Sequence, residues 1–268
     1  MKALNIPQFE KRFLDDKKDT RGKKFLLEEN SVPIKGSDEA MHYVDCIIHP
    51  SNKLSYEPYY QREKSEKTQI VLHFTAVYLK GDIAALTGNR KMVSVPFVIA
   101  RDGTIFKLWS SAYWAYHLDI GGGRSKKMSQ KTIAIEVSNI GPLPLFGQEL
   151  HTCYAKPKAG KKDAYCHLDE QEHYIKLETP YRGKQYYATF TDAQYDSMIT
   201  LLRYLTAEYG IPPAFLPEDQ RYEVLEPSII DAFQGITTHV NYRPSGKWDI
   251  GPAFEWDRLI KGVTQLPT

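Results

Sequence analysis

Cysteine is scarce in this chain. Three cysteines among 268 residues form an odd, low count, so no disulfide framework is expected to hold the fold. Cys153 and Cys166 would pair only in an exported protein, and nothing else demands it. Long apolar runs are missing too. No stretch reaches the roughly 18 apolar residues that a membrane-spanning helix needs. The opening residues, MKALNIPQFEKRFLDDKKDTRGKKF, lack the apolar centre of a signal peptide. Synthesis in the cytoplasm is therefore expected, with later release or delivery left open. Neither sign of charge dominates. The 35 Lys and Arg face 33 Asp and Glu, a net +2 at pH 7, so no global field draws the chain to nucleic acid. The lysine clusters KPKAGKK and RSKK read as solvated loops. Internal repeats and low-complexity tracts are absent. A Gly-x-Ser-x-Gly elbow is absent as well, which leaves a serine hydrolase of that kind without support. The glycine run DIGGGRSKK lacks the spacing of a phosphate-binding loop and reads as a flexible rim.

What is present suits one large core or two small ones, with 42% hydrophobic residues. Residues 1–66 are highly charged with few clear periods, and read as an N-terminal extension or small subdomain. The main domain is expected over 67–268. TQIVLHFTA has the composition of a buried strand, and alternation puts Val71 and His73 on one face. GDIAALTGN suits a short helix closed by Gly88. VSVPFVIARDGTIFKLW reads as two strands around an Arg-Asp-Gly turn. In the strand KTIAIEVSN, Ile133 and Ile135 face one side, Ala134 and Glu136 the other. A Lys- and Tyr-rich insertion follows at about 142–190. TDAQYDSMITLLRYLTAEYGI is the clearest helix, started by Thr191 or Asp192 and stopped by Gly210. Pro252 is placed to open a last helix, PAFEWDRLIKGV. Strands mixed with helices predict an α/β fold, a single mixed central β-sheet flanked by helices.

Several polar groups sit where burial is expected. Glu136 lies inside the apolar IAIEV, and a lone buried carboxylate is costly. It is either paired with some lysine or a catalytic carboxylate near a metal. His73, His239 and Asp249 together fit a three-ligand zinc site with a fourth position left for water, although any one of these histidines alone is more simply a satisfied core residue. Glu136 is then available as a base. If 247–249 is extended, Lys247 points the same way as Asp249 and can steady a developing oxyanion. His151, Cys153, Cys166 and His167 are a weaker candidate set for a second, structural zinc.

The segments IVLHFTA, VSVPFVIARDGTIFKLW, YWAYHLDIGG, KTIAIEVSN and HVNYRPSGKWDIGPAFEW occur in that order. Together they resemble the zinc-dependent N-acetylmuramoyl-L-alanine amidases of type 2, whose fold is shared with peptidoglycan recognition proteins. The resemblance covers roughly residues 68 to 262, and its last motif is the most specific. It implies that His73, His239 and Asp249 are zinc ligands, that Glu136 is the base, and that Lys247 supports the transition state. It implies a substrate-pocket role for His117, whose plain alternative is a histidine packed under a loop. The aromatics Trp114, Tyr116 and Tyr113 are candidates for the cleft wall, or equally for the core. The substrate implied is peptidoglycan or its muramyl peptides, cut between N-acetylmuramic acid and L-alanine by a monomer. Three settings fit: recycling in the cytoplasm, phage lysis as an endolysin, or a toxin delivered to the cell wall. Two rival readings share the same residues, a peptidoglycan receptor without turnover and a zinc peptidase acting on another cell-wall amide. Three departures from the family pattern stand out. Val95 and Pro96 occupy positions that disfavour a tyrosine-based variant, MSQKTIA replaces the usual lead-in, and the insertion is longer than expected.

Overall fold

The structure is a computed structural model that describes residues 6–48, 60–88, 93–156 and 159–265. Helix α1 (Ile6–Asp16) precedes a hairpin of β1 (Phe25–Pro33) and β2 (Ala40–Ile48). Next come β3 (Tyr60–Gln61), β4 (Gln69–Phe74), α2 (Leu79–Leu86), β5 (Phe97–Ile99), β6 (Ile105–Lys107), β7 (Trp114–Ala115), α3 (Gly122–Lys131) and β8 (Thr132–Val137). The insertion holds β9 (Leu145–Phe146), β10 (Glu149–His151), β11 (Ala164–His167), β12 (Tyr174–Tyr181) and β13 (Lys184–Ala188). The chain ends with α4 (Asp192–Tyr209), α5 (Pro227–Ile230), β14 (Gly235–Thr238) and α6 (Trp256–Thr264).

Seven strands form one mixed sheet in the order β1-β2-β6-β5-β8-β4-β14. The expected single central sheet flanked by helices is therefore present. Every residue of β4 and β8 is buried, which is why both read as apolar runs rather than as alternating strands. On one face Ile70, Leu72, Ile133 and Ile135 pack with Leu201 and Leu205 of α4 and Leu259 of α6. On the other, Ala134 packs with Ile83 of α2 and Phe13 of α1, while Val71 packs with Met128 of α3 and Ile230 of α5. His73 and Glu136 follow Val71 and Ala134 by alternation, so they belong to this second face.

The first 66 residues, read as an extension or small subdomain, contribute a hairpin that continues the central sheet. Strand β2 runs parallel to β6, with Val44 opposite Phe106 and Asp45 opposite Lys107. Phe13 of α1 meets Phe25 and Phe106 edge-on. The Arg-Asp-Gly turn joins β5 to β6 as expected, with Gly103 at φ 89. Helix α4 is capped as its sequence predicts. Thr191 and Gln194 exchange hydrogen bonds at its start, and Gly210 ends it at φ 64.

Three local expectations change. Pro252 does not open the last helix. It sits in a turn closed by Phe254 N–H donating to the Gly251 carbonyl, and α6 starts at Trp256. An edge-on contact of Phe254 with Trp256 at 5.0 Å, together with Tyr195 Oη accepting from Glu255 N–H, fixes that later start. Gly88 is not a left-handed helix stop. The Arg21 guanidinium occupies the space where a Cβ would stand, so close approach is what the glycine permits. The run expected as a flexible rim is helical from Gly122. Arg124 grips Asp231 with two hydrogen bonds and Met128 is buried, which together hold α3 against the body.

Candidate active site

The strand ends bring the site together. Strands β4 and β8 run parallel with His73 directly beside Glu136. Strand β14 lies parallel on the other side of β4 and ends at Thr238, one residue before His239. This is the carboxyl end of parallel strands, where open α/β sheets bind ligands. Asn241 fixes the 3-10 turn that follows. Its Oδ1 accepts from Thr238 N–H and its Nδ2 donates to the Gln220 and Glu223 carbonyls. Val240 N–H then donates to the Asp249 carbonyl, which folds the later loop back over the turn.

Three ligand-type atoms converge there. His73 Nδ1 lies 2.9 Å from His239 Nδ1 and 3.2 Å from Asp249 Oδ2, and His239 Nδ1 lies 3.3 Å from the same oxygen. Among the described residues this is the one cluster of at least three such groups within metal-binding reach. Hydrogen bonds on the far sides of the rings decide the tautomers. His239 Nε2 faces the Leu118 carbonyl at 2.7 Å, so it carries the proton and leaves Nδ1 bare. Thr132 Oγ1 donates to the Met128 carbonyl and therefore accepts from His117 Nε2 at 2.7 Å. His117 Nδ1 is left to accept from His73 Nε2 at 3.1 Å, which bares His73 Nδ1. Two ring lone pairs and a carboxylate oxygen with no donor of its own thus meet in a buried space. Lone pairs so placed repel unless a cation lies between them. Donor atoms about 3.3 Å apart are what a tetrahedral ion with bonds of about 2 Å requires, so the residues present fit zinc.

The electrostatics agree. Burial, then the neighbouring His239, pushes the His73 pKa down to about 3, which keeps the ring neutral. Burial alone would raise Asp249, but His239 and His73 beside it, and then Lys247, hold its carboxylate well below the usual range. Glu136 goes the other way. Burial first, and then the Asp249 charge, raise it well above an ordinary glutamate, while Lys247 opposes. Its residue is 8% exposed and its buried Oε2 has no hydrogen-bond partner, so no lysine salt bridge among the described residues accounts for it. Lys247 is half-buried, in a loop outside any strand.

The remaining candidates are placed as follows. His117 is buried and touches His73 rather than open solvent, so it packs behind the site. Trp114 is 2% exposed, with Nε1 donating to Glu63 and the Lys126 ammonium over its ring. It offers no open face for stacking. Tyr116 is half-buried and stands edge-on to Trp114 at 4.9 Å, and Tyr113, also half-buried, meets Trp109 at 5.9 Å. The second zinc set does not assemble. His151 is occupied by Glu149 and by Asp163 N–H, His167 is exposed, and Cys153 and Cys166 are both free. Two groups escaped the sequence reading. The Leu118 carbonyl has no signature in sequence, whereas Thr132 shares a strand face with Glu136 and alternation alone would have flagged it.

A family model described as N-acetylmuramoyl-L-alanine amidase matches residues 63–252. No match is found among curated proteins. Solved structures with a similar fold include a selenomethionine derivative of AmpD, at 18% identity and TM-score 0.43, covering 78% of this chain and 93% of that one. The amidase AmiD from E. coli, solved with an anhydromuramyl peptide substrate, aligns at 19% identity and TM-score 0.45, covering 87% of this chain and 65% of that one. AmpDh3 from Pseudomonas aeruginosa, with an anhydromuramic pentapeptide, aligns at 16% identity and TM-score 0.42, covering 80% and 65%. The assignment rests on the family match, which spans most of the chain: this protein belongs to the N-acetylmuramoyl-L-alanine amidase family and is an enzyme that hydrolyses the amide between N-acetylmuramic acid and L-alanine.

Proposed function

We propose that this hydrolysis takes place at the centre formed by His73, His239 and Asp249, with zinc as the bound metal and Glu136 and Lys247 as the catalytic groups. Zinc held by these three side chains would supply Lewis acidity, making water more acidic and polarising the carbonyl. Glu136 stands beside His73 on the neighbouring strand with a free carboxylate oxygen. It takes the proton of the attacking water and returns it to the nitrogen of the leaving L-alanine. Its raised pKa suits both halves of that task, because the protonated form persists long enough to donate. The Lys247 ammonium stabilises the negative charge that develops on the former carbonyl oxygen. Tyr116, half-buried beside Trp114, is proposed to contact the sugar or the peptide, with Trp114 supporting its ring from beneath. His117 supports the metal site from behind. All of these groups come from one chain, so a monomer suffices, and the ligand is peptidoglycan or a soluble muramyl peptide.

The observation that carries the proposal is the convergence of two bare imidazole nitrogens and an undonated carboxylate next to an unpaired glutamate. A receptor without turnover has no need of that glutamate. Purified protein incubated with intact sacculi and with soluble muramyl peptides should release new L-alanine amino termini. Glu136→Ala should lower the rate by at least ~100-fold while zinc stays bound. Undiminished cleavage by this variant would remove Glu136 from the mechanism.

A further inference from the structure

The tip of the insertion reaches the loop that carries Lys247 and Asp249. Tyr181 and Lys184 pair at the end of the β12–β13 hairpin, and the two residues between them, Arg182 and Gly183, have φ values of 47 and 74. Positive φ at both central positions is the pattern of a tight type I′ hairpin turn. The first of these positions favours Asn, Asp or Gly, because a longer side chain is disfavoured at positive φ. An arginine there works against the local preference, so its use is to be sought in what it touches. Its Nη1 donates to the Lys247 carbonyl at 2.7 Å, and its own carbonyl accepts from Trp248 Nε1 at 3.4 Å. One residue thereby grips two consecutive residues of the loop that carries Lys247 and Asp249. The contact continues on either side. Tyr181 Oη donates to the Tyr222 carbonyl, and the Tyr187 ring lies 3.5 Å from where a Cβ on Gly251 would stand. Elsewhere the loop is held by Val240 N–H donating to the Asp249 carbonyl and by Ile250 in the main core, while Pro244, Ser245 and Gly246 just before Lys247 are exposed and outside any strand.

We infer that Arg182 is a positioning residue: the insertion braces the Lys247–Asp249 loop through it, and so sets Asp249 against the two histidines. The inference rests on the reading of Asp249 as a zinc ligand. It gives the long insertion a part in the reaction without any contact to substrate.

Zinc affinity, measured by competition with a chromogenic chelator, tests this separately from activity. Arg182→Gly suits the test because glycine accepts positive φ freely, so the turn survives and only the guanidinium is lost. The variant should keep the thermal midpoint of the zinc-free protein and bind zinc about tenfold more weakly, as outer-shell changes do. Arg182→Lys, which restores one donor to the Lys247 carbonyl, should recover part of the loss. Arg182→Gly binding zinc as tightly as the parent, or Arg182→Lys binding no better than Arg182→Gly, would overturn the brace. Asp249→Ala separates the two claims. If it loses zinc while Arg182→Gly does not, the brace alone falls. If Asp249→Ala binds zinc like the parent, the metal reading beneath it falls.

Discussion

A histidine ligates through whichever ring nitrogen its other hydrogen bond leaves bare, and for His73 that choice is set by His117 and Thr132 behind the proposed metal site. The run from His73 through His117 and Thr132 to the Met128 carbonyl passes each proton outward and leaves the inner lone pair free. His117→Ala removes the acceptor that orients His73, and should weaken zinc binding by about 10- to 100-fold. His117→Gln, with an amide oxygen able to accept from His73 Nε2, should recover part of that loss. Equal zinc affinity in the alanine variant and the parent would show that the chain of bonds is incidental. The chemistry-bearing residue types were legible at this scale. His73 and Glu136 stand out as polar groups on apolar runs, and the motif around His239, Lys247 and Asp249 is distinctive. What supports them was not legible, because a backbone carbonyl such as that of Leu118 donates no letter to the sequence.

Among the elements, α2 is pinned to the end of β8 by a buried carboxyl. Asp82 accepts from Ser138, just past the end of β8, at 2.6 Å. Burial raises its pKa from 3.8 to about 7, with the Ser138 bond opposing. The folded state therefore holds this proton more tightly than the unfolded chain does. The associated stability is fully present below about pH 3.8 and is lost as pH rises through about 7. Asp82→Asn keeps an acceptor for Ser138 and never ionises. Its advantage over the parent in urea midpoint should be smallest near pH 4 and grow steadily to about pH 7, towards a few kcal/mol at about 1.4 kcal/mol per pKa unit. A difference that is constant across this range would contradict the account. Elements with strong local signals were readable in advance: the capping residues of α4 and the Arg-Asp-Gly turn each act within a few residues. Helix α3 and the start of α6 were not, since ties between distant residues decide them, Arg124 to Asp231 and Tyr195 to Glu255.

Over the whole molecule, long-range pairing did most to exceed what sequence could tell. The parallel register of β2 against β6 places the N-terminal hairpin on the central sheet, and nothing in either segment alone announces the other. The insertion likewise reads as a separate tyrosine-rich stretch, yet its tip lies on the Lys247–Asp249 loop. Its small core of Leu150, Tyr165, Cys166 and Tyr186 also takes in Ile6 from the first helix, so the chain's beginning and middle are packed as one body. The proposed ligand set draws on two distant segments, His73 from one and His239 with Asp249 from the other, and depends on all of this being assembled first. A ligand that binds only the folded chain stabilises it, so zinc should raise the thermal midpoint in proportion to the logarithm of its free concentration. The most direct test of the central claim is metal content per chain after zinc loading and exhaustive dialysis, for the parent and for a variant with His73, His239 and Asp249 all replaced by alanine. The account predicts about one zinc per parent chain and none in the variant; a parent that holds no zinc, or a variant that holds as much as the parent, would contradict it.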